Sequence, residues 1–222
     1  MKKRVVFFHT TFNTPAYMKR LFAERYPDAE LYNIVDDSIL QEVRANDCQF
    51  TPNIVRKLAA YGMGAESIGA CAIMSMCTTL APAVKCAQAS KEIPFFSVDT
   101  LMLHEAVRSG RRIALIVTAE TTVLPSTLAA KQAAADEGIA DVEIDTILVH
   151  GAFHAATVEQ DQQKHDKLVM EAVKKAAKTH DLIVLAQVTM AGLKERLLDI
   201  PVPVLISPYS GLEQLAALLK CE

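Results

Sequence analysis

The chain has 222 residues, 51% of them hydrophobic and 22% charged, which is enough apolar content for one large cored domain or two small ones and excludes a disordered chain. Its 23 basic and 26 acidic residues give no basic excess of the kind that nucleic acid selects, so a small molecule or a protein is the expected partner and a homo-oligomer stays open. No segment approaches roughly 18 uninterrupted apolar residues, which argues against a membrane span, and the five cysteines, odd in number and without a C-x-x-C pair, read as free thiols in a reducing cytoplasm.

The apolar run at residues 5–8 is too short for a signal peptide and instead gives a buried strand, Arg4–His9, ending in the polar cluster His9, Thr10, Thr11, Phe12, Asn13 and Thr14. Thr14-Pro15 provides a cap and a first helical position, with Tyr17, Leu21 and Phe22 on one face before Tyr26-Pro27 ends the helix. A short strand over Glu30–Val35 follows. Thr51-Pro52 then opens a helix with Ile54, Val55, Leu58 and Tyr61 at core spacing, and Gly62 to Gly64 are expected to close it. A strand over residues 67–76, a helix over 80–90 and a strand over 94–98 complete the first half.

Between that strand and helix, the run ends abruptly in Cys77-Thr78-Thr79. The first backbone N–H groups of a helix are unpaired and its dipole is positive there, so a thiol at this junction is expected to be more acidic and more reactive than a free one. Thr78 and Thr79 read as caps for the following helix, and their hydroxyls and amides could also hold a carboxylate oxygen. Cys71, Cys86, Cys48 and Cys221 read as structural or incidental.

The second half repeats the grammar. Asp99-Thr100 caps a helix that Ser109-Gly110 ends, and Arg112–Val117 is a strand whose end carries Thr118, Thr121 and Thr122. A helix ending near Gly138, a strand over 142–149, a loop over 150–161 and a strongly periodic helix over 163–179 come next. The apolar strand at 181–186 ends in Gln187-Val188-Thr189, followed by a helix over 190–198, a strand over 201–207 and a helix over 211–219.

Strands alternating with helices predict an α/β fold with parallel sheets covered on both faces. Thr10 lies 67 residues before Cys77 and Thr118 lies 69 before Gln187, while Cys77 lies 17 before Pro94 and Gln187 lies 16 before Pro203. These spacings point to an internal duplication of one α/β unit. The first unit would take residues 1–98 and 208–222 and the second 99–207. Both motif turns fall at C-terminal strand ends, where open α/β sheets bind ligands, so two facing units would place Cys77 and Gln187 on opposite walls of one cleft.

The hydroxyl-rich turn after the first strand, MCTTLAP, VTAETT, GAFHA with a following HD, and LAQVTMA resemble, in that order, the aspartate/glutamate/hydantoin racemase superfamily, in particular its single-cysteine branch. The resemblance covers essentially the whole chain. It implies two similar flavodoxin-like units related by a pseudo-twofold with a cleft between them, no cofactor or metal, and a small carboxylate as substrate. In the superfamily's racemases one cysteine thiolate removes a Cα proton and a second thiol on the opposite wall returns one. The first of these matches Cys77; the second falls at Gln187, which has no proton to give at neutral pH. The chain therefore departs from a two-cysteine racemase. Single-cysteine relatives include arylmalonate decarboxylase and, in part, the maleate isomerase mechanism.

On this reading Thr10, Thr11, Asn13, Thr78, Thr79, Thr118, Thr121, Thr122 and Thr189 supply neutral donors to the substrate carboxylates, although threonines at strand ends also simply cap helices. Glu120 reads either as an acid near the cleft or as a solvated loop carboxylate. His9, His154 and the His165-Asp166 pair could join Cys77 in a cysteine–histidine hydrolase; His9 has the better position, and His165 reads as a surface or supporting group. The remaining alternative is a non-catalytic protein that binds small acids and has lost the second cysteine.

Overall fold

The computed structural model describes residues 2–47 and 49–220, so Cys48 and Cys221 lie outside the described residues. The chain divides into two compact units, Met1–Val98 with Gly211–Glu222, and Asp99–Ser210.

In the first unit, β1 (Arg4–His9), β2 (Glu30–Val35), β3 (Ala70–Ser75) and β4 (Phe95–Ser97) form a parallel sheet in the order β2-β1-β3-β4. Its helices are α1 (Pro15–Arg25), α2 (Ser38–Ala45), α3 (Pro52–Ser67) and α4 (Ala81–Gln88), with a 3-10 turn at Thr78–Leu80 between β3 and α4. β1 is central and covered on both faces, so Val5 to Phe8 are all buried; β2, at the edge, keeps Tyr32 and Asn33 exposed. Val6, Phe8, Ile54, Leu58, Ile73 and Leu80 belong to one core cluster between sheet and helices.

The second unit has the same plan. Its strands β5 (Arg112–Val117), β6 (Glu143–Leu148), β7 (Leu182–Leu185) and β8 (Val204–Ile206) are parallel in the order β6-β5-β7-β8. They are accompanied by α5 (Thr100–Ser109), α6 (Glu120–Asp136), α7 (Ala152–Thr157) and α8 (Gln162–Ala176), and by a long 3-10 run at Val188–Leu197. The last helix, α9 (Ser207–Lys220), starts in this unit and carries the chain back into the first.

The duplication is visible bond by bond. Met76 N–H donates to Phe8 O at 2.8 Å, and Ala186 N–H to Ile116 O at 3.2 Å. Glu30 N–H donates to Lys3 O as Glu143 N–H does to Arg111 O, and Ile73 N–H to Pro94 O as Ile183 N–H does to Pro203 O. In this register Thr10 corresponds to Thr118, His9 to Val117 and Cys77 to Gln187.

Several local expectations are corrected. α3 runs through Gly62 and Gly64 to Ser67, and the left-handed turn that ends it comes at Gly69, φ +71°. The expected loop at 150–161 contains α7, launched by Gly151 at φ +78°. α2 is an additional helix beyond those expected, and the helix expected at 190–198 is the 3-10 run. Thr14 occupies the first cap position but its hydroxyl bonds His9 instead of the helix amides, whereas Thr51 does cap, accepting from Ile54 N–H at 3.3 Å. Thr78 and Thr79 form the 3-10 turn ahead of α4, so Leu80 holds that helix's cap position and no side chain caps it.

Candidate active site

Cys77 lies two residues past the end of β3 and occupies the cap position at the start of the 3-10 turn, with extended backbone at φ −121° and ψ 104°. It is a free, partly buried thiol, like Cys71; Cys86 is exposed. Four donors favour its thiolate: the hydroxyls of Thr10 and Thr79, the Thr79 amide, and the Leu80 amide, which also donates to the Cys77 carbonyl oxygen at 3.0 Å. Thr10 arrives from the end of β1, the neighbouring strand, and is itself buried, as are Thr78 and Thr79. Thr11 is half-buried and Asn13 exposed further along the β1 loop.

The amide-rich start of the turn does favour the thiolate, as its position demands, but burial acts more strongly. Desolvation pushes the Cys77 pKa above its ordinary value of 9.0, and the four hydrogen bonds only moderate the rise. The expectation of an acidic thiol is therefore corrected: Cys77 rests as S–H at neutral pH, surrounded by donors that would hold the anion once the proton had left.

His9 does not serve as its base. The ring is fully buried at the end of β1, with Nδ1 2.8 Å from Thr14 Oγ1 and Nε2 2.9 Å from Asn33 Oδ1. The Asn33 carbonyl accepts a hydrogen bond from Nε2–H, so Nδ1 accepts one from the Thr14 hydroxyl and the ring is neutral. Burial lowers its pKa to about 4, against the weaker upward influence of Asn33. Both nitrogens are committed, and the positional argument for a Cys77–His9 pair is corrected by a partner on the adjacent strand that spacing along the chain could not reveal.

The corresponding turn of the second unit is built around an amide. Gln187 Oε1 accepts from Thr118 N–H at 2.5 Å and from the Thr118 hydroxyl at 2.8 Å. The Thr118 backbone N–H can only donate, so the amide turns its oxygen toward Thr118 and its NH₂ away. Both donors of Thr118 are thus engaged within the protein. Thr121 and Thr122 are buried in the first turn of α6, and Thr189 is half-buried in the 3-10 run.

Among the described residues, the remaining candidates make no hydrogen bond to Cys77 or Gln187. Glu120 is exposed at the first position of α6. His154 is on the surface, 3.2 Å from Glu159. His165, read as a surface or supporting group, is not on the surface but wholly buried; its Nδ1 lies 2.9 Å from Asp166 and its Nε2 is an unpartnered buried atom. Among the described residues there is no group of three His, Cys, Asp or Glu side chains placed to hold a metal, and no helix long and apolar enough to cross a membrane.

No curated protein matches the chain in sequence. Solved structures that resemble it include an aspartate racemase homologue from Pyrococcus horikoshii OT3, 16% identical with a TM-score of 0.71 over 100% of both chains. Glutamate racemase from Aquifex pyrophilus is 16% identical with a TM-score of 0.63, over 98% of this chain and 84% of its own. Unliganded arylmalonate decarboxylase is 16% identical with a TM-score of 0.62, over 100% of this chain and 94% of its own. At these identities the likeness establishes an α/β fold of two similar units. The sequence match is more direct: the model of the family described as Asp/Glu/Hydantoin racemase spans residues 14–215, and with that match the chain belongs to the Asp/Glu/hydantoin racemase family.

Proposed function

We propose that the protein is a cofactor-independent enzyme acting on a small carboxylate compound, with Cys77 as the one ionisable group of its chemistry and Gln187 as a fixed neutral donor. The observation that carries this reading is the set of four donors that favour the Cys77 thiolate. A buried structural thiol needs no such set, because a neutral S–H is a weak hydrogen-bonding group. Donors become valuable when the sulfur bears charge.

A thiol that rests protonated is suited to giving a proton. As a bond to the substrate carbon breaks and its electron pair spreads into an adjacent carboxylate, Cys77 S–H delivers its proton to that carbon. The Thr10 and Thr79 hydroxyls and the Thr79 and Leu80 amides stabilise the thiolate left behind, and solvent reprotonates it. The NH₂ of Gln187 supplies a donor for a carboxylate oxygen without being able to exchange a proton. One-sided protonation of this kind suits a decarboxylase-like lyase or a single-base isomerase better than a two-base racemase. A cysteine–histidine hydrolase would need a histidine to take the thiol proton, and His9, the candidate at the end of the strand beside β3, has both ring nitrogens occupied.

The test is turnover of a panel of small mono- and dicarboxylates in D₂O, followed by NMR and mass spectrometry. Solvent deuterium at a substrate carbon, lost in Cys77→Ala, is expected. An acid that protects Cys77 from iodoacetamide but incorporates no deuterium would replace this reading with that of a binding protein.

A further inference from the structure

The exposed side of α6 has an ordered composition that neither the sheets nor the proposed chemistry explains. Glu120, Leu124, Leu128, Lys131 and Ala135 are all exposed. They recur at spacings of four, four, three and four, which at 3.6 residues per turn confines them to roughly 80° of arc. The opposite side, with Thr122, Ser126, Ala130 and Ala133, is buried in the unit. Leu124 is 54% and Leu128 50% exposed, adjacent large apolar side chains on a helix whose inward face is already packed.

Along the helix the stripe reads acid, leucine, leucine, base. Neither Glu120 nor Lys131 has an ion-pair partner among the described residues, although Arg111 and Arg112 of the same unit are paired, at 2.8 and 3.3 Å, with Asp141 and Glu143. A stripe with this sign order complements itself in one arrangement. When a second α6 lies antiparallel on the first about a twofold axis at the level of Ser126, each Leu124 meets the partner's Leu128. Each Glu120 then falls beside the partner's Lys131. Such a contact is isologous, each pair occurring twice.

From this we propose that α6 is the interface of a homodimer, closed by the two leucines of each copy and oriented by the Glu120–Lys131 pairs at its rim. A depression of about 490 Å³ lined by Lys131, Ala134, Ile139, Val142 and Ile144 continues the apolar surface at the C-terminal end of the helix. The neighbouring edge strand β6 is not the docking element. It presents Glu143 and Asp145 outward, and charges along an edge discourage strand pairing.

Sedimentation velocity over a range of concentrations tests the proposal. The wild type is expected to sediment as a dimer, and Leu128→Glu, on an exposed helix position, as a folded monomer of half the mass. Glu120→Lys alone sets like charges against each other and weakens the dimer; Glu120→Lys combined with Lys131→Glu reverses both signs and restores it. A wild type that stays monomeric at all concentrations overturns the proposal, whether or not some other protein covers the face. A dimer indifferent to Leu128→Glu, or a double variant no stronger than Glu120→Lys, overturns it equally.

Discussion

The two units differ most where their folds agree most. In each, the first and third strands of the unit run side by side in the same register and a threonine and a second polar residue follow them. In the first unit the donors converge on a sulfur that can ionise; in the second they converge on an amide oxygen that cannot. One duplicated scaffold thus offers a proton-bearing turn and a proton-inert one, and the difference rests on the single exchange of cysteine for glutamine.

Substitutions at corresponding positions probe that asymmetry. The largest effect is expected at Cys77: once a substrate is known, Cys77→Ala should cut kcat about 10³-fold, the scale of a general acid. Wild-type activity should persist through neutral pH and decline only above pH 9, because burial raises the thiol above 9.0 and the acting form is protonated. An activity that instead rises with pH in that range would identify the thiolate as the working species.

A second contrast lies at the end of the first strand, where His9 corresponds to Val117. The folded-state pKa of His9, about 4, is below its unfolded value of 6.5, so between these values the unfolded chain binds a proton that the native chain refuses. Stability is therefore whole above pH 6.5 and falls as pH drops toward 4, by about 3 kcal/mol in all, since each pH step between the two values costs roughly 1.4 kcal/mol. Urea titrations at pH 7 and 4.5 should show this loss, and His9→Gln, which can still reach Thr14 and Asn33, should flatten it.

For the inert turn, Gln187→Ala removes one oriented donor and should lower kcat/KM about 10²-fold. Gln187→Glu should be at least as damaging, since its carboxylate would still accept from Thr118 but would repel a substrate anion. The smallest effect belongs to Thr118→Val. It leaves the Thr118 amide in place but frees the Gln187 side chain from one of its two anchors, for a loss of about tenfold through poorer positioning. Thr118→Ser should recover most of it, which a purely apolar packing role for Thr118 would not allow.

Much of the fold was legible because the signals are long or repeated. The apolar runs of β1, β5 and β7 are those of strands covered on both faces, and the spacing of Thr10, Cys77, Thr118 and Gln187 foretold which positions correspond. Short helices were not legible. α7 is six residues following a left-handed glycine, too brief for a hydrophobic period, and α2 anchors itself with only Ile39 and Val43. The site was readable as residue types at strand ends but not as electrostatics. Helix-start geometry argues for an acidic Cys77; only the packing around the sulfur reveals that desolvation wins. Likewise Asn33, which with Thr14 immobilises His9, is brought there by the pairing of β1 with β2, a register that no local pattern encodes.

The route of the chain between its units bears on how each unit is completed. The first unit is left at Val98 and rejoined at Gly211, and the two points touch so closely that a Cβ on Gly211 would sit 2.6 Å from the Val98 carbonyl oxygen. The second unit is one uninterrupted stretch; the first is not. The second unit has its whole sheet and core within its own stretch and needs nothing beyond Ser210 to complete them. The first also needs α9, whose Leu212 carbonyl accepts from the Tyr26 hydroxyl and whose Glu213 lies 3.3 Å from Arg25. The half carrying Cys77 therefore depends on both ends of this sequence, and truncation before Gly211 would leave the second unit's strands complete beside a first unit that lacks its final helix.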